Sequence, residues 1–100
     1  MKIMQIGTAG TMESSDVFVT IKPVEQKGLS IQIQSTVFTT FGDQIRQTVE
    51  EVLSVFEIED AEILLVDKGA IDCVIRARME AALCRATGSK FDWKGENKNV

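Results

Sequence analysis

VFVTIKPVEQKGLSIQIQS, residues 17–35, holds two alternating segments around a break. Val17, Val19 and Ile21 alternate with Phe18, Thr20 and Lys22, so a strand here puts the first three on a core face. Pro23 ends that strand or confines it to an edge. Val24–Gly28 is a polar connection in which Gly28 can take a positive φ. Leu29, Ile31 and Ile33 then alternate with Ser30, Gln32 and Gln34, the pattern of a strand with one solvated face. The two segments read as an antiparallel hairpin.

On the N-terminal side, residues 3–12 (IMQIGTAGTM) read as an edge strand or extended arm. Between that segment and Val17 lies Glu13-Ser14-Ser15-Asp16, four residues of turn-forming type whose side chains bond nearby backbone. This turn lifts two hydroxyls between two carboxylates. On the C-terminal side, Phe41, Ile45, Val49, Val52, Leu53 and Phe56 form one helical stripe. Thr39 or Thr40 is placed to cap that helix, with Asp43 in its first turn. Ala61–Val66 (AEILLV) has strand length. Asp67-Lys68-Gly69-Ala70 reads as a turn, Asp72 as the cap of a second helix, and Gly88 as its stop. Ile71, Ile75, Met79, Ala82, Leu83 and Ala86 line one side of that helix.

The order is therefore β-β-β-α-β-α, an α+β two-layer sandwich with a small, mostly antiparallel sheet and two helices on one face. The passage from residues 29–35 through the first helix to 61–66 is compatible with a right-handed crossover. Residues 1–88 make a single domain. Residues 89–100 (SKFDWKGENKNV) read as a polar, flexible tail from which Phe91 or Trp93 can dock on the domain.

The 100-residue chain carries a net charge of −4, with 44% hydrophobic and 26% charged residues. That balance fits one soluble domain and argues against a nucleic-acid partner, which needs a basic patch. There is no His and no Tyr. A Ser-His-Asp triad and a His-ligated zinc site are thus excluded, and Ser14 has no built-in base to activate it. Glu50 and Glu51 read as a solvated face. Met1-Lys2-Ile3-Met4 opens like a secretion signal, but Gln5 and Gly7 break the apolar run, and no stretch reaches membrane-span length. Cys73 and Cys84 lie eleven residues apart in one helix, about 16 Å along its axis, beyond disulfide reach. They read as reduced, small hydrophobes, which suits a cytoplasmic protein. The back of the second helix carries Cys73, Ala77, Ala81 and Cys84, flanked by Arg76, Arg78 and Arg85. Those arginines either pair with Glu80 and other surface carboxylates or meet a partner subunit or phosphate groups.

Three stretches, AGTMESSD (9–16), FGDQIR (41–46) and DKGAIDCVIRARMEAAL (67–83), together resemble the acyl carrier (gamma chain) family of citrate lyase. The carrier subunits of malonate decarboxylase are a more distant likeness. The resemblance implies a bacterial, cytoplasmic, non-catalytic carrier subunit with no metal and no catalytic residue of its own. It implies that Ser14 carries 2'-(5''-phosphoribosyl)-3'-dephospho-CoA through a phosphodiester bond, installed by a prosthetic-group transferase. Family members can have Gly at the next position, which makes Ser15 the lesser candidate. The implied arm holds acetyl or citryl as a thioester for the alpha (CoA-transferase) and beta (citryl-lyase) subunits during cleavage of citrate to acetate and oxaloacetate. Two other readings stand beside it: a malonate decarboxylase carrier, and an interaction module using the Ala/Cys face of the second helix. The turn carboxylates Glu13 and Asp16 either guide the transferase or hold the turn.

Overall fold

The computed structural model describes residues 1–89, without the side chains of Phe38 and Thr39. The elements are β1 (Gly7–Gly10), β2 (Val17–Lys22), β3 (Leu29–Ser35), α1 (Phe38–Val55), β4 (Ala61–Asp67) and α2 (Asp72–Thr87). Their order and the single mixed sheet agree with the α+β reading. The expected tail contacts of Phe91 and Trp93 lie outside the described residues.

The sheet order is β1-β2-β4-β3. β2 and β3 are therefore not a hairpin. β4 lies between them, antiparallel to β2 in the register Val19↔Leu65 and parallel to β3 in the register Ile31↔Ile63. The reason lies in the outward-facing positions. β4 offers Leu64 and Val66 there, and both are half-buried. β3 offers Ser30, Gln32 and Gln34, all exposed. A strand with apolar residues on both faces gains most from a central position, and one with a polar outer face loses least at an edge. The antiparallel partner of β2 on its other side is β1, in the register Ala9↔Val19.

Both helices cover the face formed by Val17, Val19, Ile21, Ala61, Ile63 and Leu65, each fully buried. From α1 the stripe Ile45, Val49, Val52 and Leu53 enters this core, and from α2 Ile75, Met79, Ala82, Leu83 and Ala86. Each large apolar side chain buried in this way contributes about 1.5–3 kcal/mol. Two expected core members stay outside, Phe41 at 48% and Ile71 at 66% exposure. Both precede the point where the helices meet the sheet.

Gly7 explains how a four-residue edge strand is held. A Cβ there would collide with the Ala82 carbonyl and lie 2.6 Å from the Ala86 nitrogen. Glycine on β1 and alanine on α2 thus let two backbones approach closely.

The helix starts differ from expectation. α1 begins at Phe38, with Val37 at the cap position, no side-chain cap and no acidic residue in its first turn. Ser35 takes over part of the capping task, its hydroxyl accepting from Val37 N–H at 3.0 Å. In α2 the cap is Ile71, and Asp72 is the first helical residue. The Asp72 carboxylate instead accepts a short hydrogen bond from Thr48, a buried polar residue of α1. Gly88 ends α2 in the left-handed conformation, φ 77°, as expected. No helix among the described residues is long and apolar enough to cross a membrane.

Candidate functional site

Ser14 stands exposed in the turn between β1 and β2. Four sets of contacts hold that turn. Asp16 N–H donates to the Glu13 carbonyl at 3.2 Å, closing the turn itself. The β2–β4 ladder then runs on past Val17: Lys68 N–H donates to the Asp16 carbonyl at 2.9 Å, and Ser15 N–H to the Lys68 carbonyl at 2.8 Å. Thr11 Oγ1 donates to Asp16 Oδ2 at 2.7 Å and accepts from Glu13 N–H at 3.2 Å. Finally, Arg78 reaches across from α2 with a two-pronged grip, Nε to Asp16 Oδ1 at 3.0 Å and Nη2 to Oδ2 at 2.9 Å. Val17 N–H also donates to Oδ1, at 2.7 Å. None of these bonds uses the Ser14 hydroxyl.

The electrostatics follow. The Arg78 fork first, then the Thr11 hydroxyl and the Val17 N–H, hold the Asp16 carboxyl at about 2, although partial desolvation pulls it upward. Hydrogen bonding to Asp16 raises Arg78 in turn. Asp16 is thus a fixed anion directed inward, at 13% side-chain exposure. Two charge-assisted bonds in a planar fork restrict orientation as well as distance.

Ser15 has φ 66°, a left-handed conformation costly for most side chains. Glycine adopts it without strain, which gives a physical reason for the Ser/Gly interchange that the resemblance implies at this position. The neighbouring Asp67-Lys68-Gly69-Ala70 turn is fixed by a buried carboxylate. Asp67 is 1% exposed and accepts from Ser35 Oγ at 2.7 Å, Ala70 N–H at 2.9 Å and Gly69 N–H at 3.2 Å.

The three arginines are all engaged within the chain, with hydrogen-bond partners other than Glu80, which acts on Arg76 through its charge alone. Arg76 pairs with Glu51 at 2.8 Å, Arg78 with Asp16, and Arg85 Nη1 donates to the Thr8 carbonyl at 2.6 Å. Burial pushes the Cys84 thiol up, with Glu80 adding to the shift, which disfavours the thiolate. Both cysteines are free. Among the described residues, no group of three or more His, Cys, Asp or Glu side chains is placed to hold a metal ion.

Sequence reading singled out the turn and missed its anchors. Thr11, Asp67 and Lys68 lie in stretches that the sequence reading quoted but were given no anchoring role, and Arg78 is 62 residues from Asp16. The structure brings together all three stretches on which the resemblance rests. Residues 9–16 meet 67–83 through the Ser15–Lys68 and Asp16–Arg78 contacts. Residues 41–46 meet the same stretch across an apolar groove between the helix starts.

Comparison with known proteins agrees. The profile of the malonate decarboxylase delta subunit (MdcD) family matches residues 5–86. The citrate lyase acyl carrier protein of Latilactobacillus sakei is 48% identical over 99 residues, covering 98% of this chain and 97% of its own. That of Haemophilus influenzae (strain PittGG) is 47% identical over 94 residues, covering 94% and 97%. A chain in the crystal structure of a Pseudomonas malonate decarboxylase hetero-tetramer in complex with malonate superposes with a TM-score of 0.64 at 25% identity, over 83% of this chain and 89% of that one. With these matches spanning almost its whole length, the chain belongs to the family of citrate lyase acyl carrier proteins.

Proposed function

We propose that this chain is the covalent acyl carrier subunit of a citrate lyase and that Ser14 is the attachment point of 2'-(5''-phosphoribosyl)-3'-dephospho-CoA. The observation that carries the reading is the contrast within one turn: the backbone on either side of Ser14 is tied down, and its own hydroxyl is exposed with no bond among the described residues. The residues present fit such a group, because a bulky phosphodiester needs an accessible oxygen on a defined root. When bound, the group supplies a thiol on a long arm that holds an acyl group as a thioester.

The chain's own residues do the rest by position. Asp16, Thr11, Arg78 and the Lys68 backbone hold the root still. A tethered group on a fixed root has an effective concentration near partner sites on the order of mM for a short flexible link. No His is present, and no base contacts Ser14 among the described residues, so the transferase must supply the base when the hydroxyl is modified. On this reading the chain is a non-catalytic subunit, served by alpha (CoA-transferase) and beta (citryl-lyase) subunits in the cytoplasm, a compartment that suits its two free thiols.

The Pseudomonas hetero-tetramer and the family profile favour a second reading, a malonate decarboxylase carrier. The identities of 47–48% to citrate lyase carriers weigh for the first. Intact mass of the chain purified from its own citrate-grown cells, beside Ser14→Ala, tests the proposal. The expected result is a prosthetic-group increment that disappears in the variant, with acetyl as the bound acyl group. An unmodified chain would overturn the carrier reading. An increment that survives Ser14→Ala would move the site, with Ser15 next in line, and malonyl on the arm would favour the second reading.

A further inference from the structure

Between the first turns of α1 and α2 lies a groove of about 340 Å³. Phe41 and Ile45 form one wall, and Ala70, Ile71 and Ile75 the other, with Gln44 and Asp72 also lining it. Phe41 and Ile71 are the two large apolar side chains that the core leaves exposed here, at 48% and 66%. Single exposed apolar residues are ordinary, but two lining one apolar cavity call for an occupant.

We propose that this groove is the resting seat of the arm carried by Ser14. The inference rests on the carrier reading above and deepens it. Its first ground is position. Ser15 N–H is bonded to the Lys68 carbonyl, and Gly69 and Ala70, the next two residues, line the groove. Backbone dimensions then put the Gly69 Cα within about 8 Å of the Ser14 Cα, and the Ile71 Cα within about 16 Å. The phosphoribosyl and nucleotide portion of the group alone covers that interval, so its pantetheine end reaches back into the groove.

The second ground is size and chemistry. The volume is at the small end of the range for ligand cavities, about 300–1,000 Å³, which suits a slender chain and is too small for a helix. The pantetheine end of the arm alternates methyl-bearing and amide segments, and the groove offers apolar walls with Gln44 and Asp72 as its polar lining residues. Seated there, the thioester end is withdrawn from water between visits to partner subunits.

Methyl NMR on the full chain tests this, comparing unmodified protein with protein bearing the acetylated arm, and with intact mass measured on each sample. The expected result is a shift of the Ala70, Ile71 and Ile75 methyl signals on modification. Cross-relaxation between the arm's paired methyls and the Phe41 ring is expected too, while Ile3 and Ile58, away from the groove, stay unchanged. Ile71→Ser, at an exposed position that leaves the core intact, loses those contacts and makes the thioester react faster with hydroxylamine. A sample with the full mass increment but unmoved groove methyls overturns the inference and leaves the carrier reading standing. Groove signals that move only when a partner subunit is added overturn it in favour of a protein-docking face. A sample without the increment, taken from citrate-grown cells, overturns both.

Discussion

Arg78→Met, a change that keeps most of the aliphatic stem and removes the fork, isolates the grip on Asp16. The ordinary value of 3.8 for Asp16 falls to about 2 in the fold. By linkage this interval has a ceiling of about 2.5 kcal/mol of stability at neutral pH. Two features lower Arg78's share. Its side chain is 41% exposed, so solvent screens the pair. Thr11 Oγ1 and Val17 N–H keep their bonds to the same carboxylate in the variant. We expect a loss of about 1–1.5 kcal/mol at pH 7, in line with charge-assisted bonds of partial exposure.

The sign of the pH dependence follows from the direction of the shift. A carboxylate depressed in the fold contributes its full stabilisation above the ordinary value. The contribution fades as pH falls from about 4 toward 2, where the folded state also takes up the proton. Equilibrium urea unfolding of wild type and Arg78→Met across this range is the assay, with Asp16→Asn and the double variant completing a cycle. The gap between wild type and variant should shrink by more than half near pH 2, and the double variant should cost little more than Asp16→Asn alone. A gap that holds constant with pH, or additive single losses, would refute the coupling and leave Arg78 a packing residue.

Two further substitutions probe the same end of the sheet. Ser15→Gly should change stability by less than about 1 kcal/mol, because relief of the left-handed strain at φ 66° offsets the entropy of glycine, whereas Ser15→Val should cost about 1–2 kcal/mol; thermal denaturation separates them. Asp67→Ala should lower the urea-derived stability by about 2–3 kcal/mol, since it removes a buried acceptor from the half-buried Ser35 hydroxyl and Gly69 and Ala70 amides, and faster amide exchange at Gly69 and Ala70 would locate the damage.

Periodicity made the elements legible and left their neighbours open. An alternation of two assigns Val17, Val19 and Ile21 to one face, but it says nothing about which strand lies beside them. The hairpin reading followed from adjacency in sequence. The outward residues held the better clue, since Leu64 and Val66 mark β4 as central while Ser30, Gln32 and Gln34 mark β3 as an edge. Helix capping failed for a similar reason. Thr39, Thr40 and Asp72 have the right chemistry for caps, but Ser35, on the strand before α1, already serves Val37, and Asp72 is drawn to Thr48. At the site, residue types pointed to the turn, and resemblance rather than physics singled out Ser14 within it. The grip of Arg78 and the Lys68 backbone was illegible because both reach Asp16 and Ser15 from more than fifty residues away, and the local Thr11 contact joins ordinary residues with no pattern to mark it.

The geometry also decides between two roles for the carboxylates beside Ser14. Asp16 has both oxygens committed, Oδ1 to Arg78 and Val17, Oδ2 to Arg78 and Thr11. A transferase reading Asp16 would have to break that set, so Asp16 belongs to the turn's architecture. Glu13 is different: its backbone serves the turn, and its side chain is exposed with no bond among the described residues. If a carboxylate guides modification, it is Glu13. The modification rate of Glu13→Gln should then fall with stability unchanged, and Asp16→Asn should show the reverse, a loss of stability with a rate that recovers once the turn is folded. Equal rate losses in both, at matched folded fractions, would return recognition to Asp16.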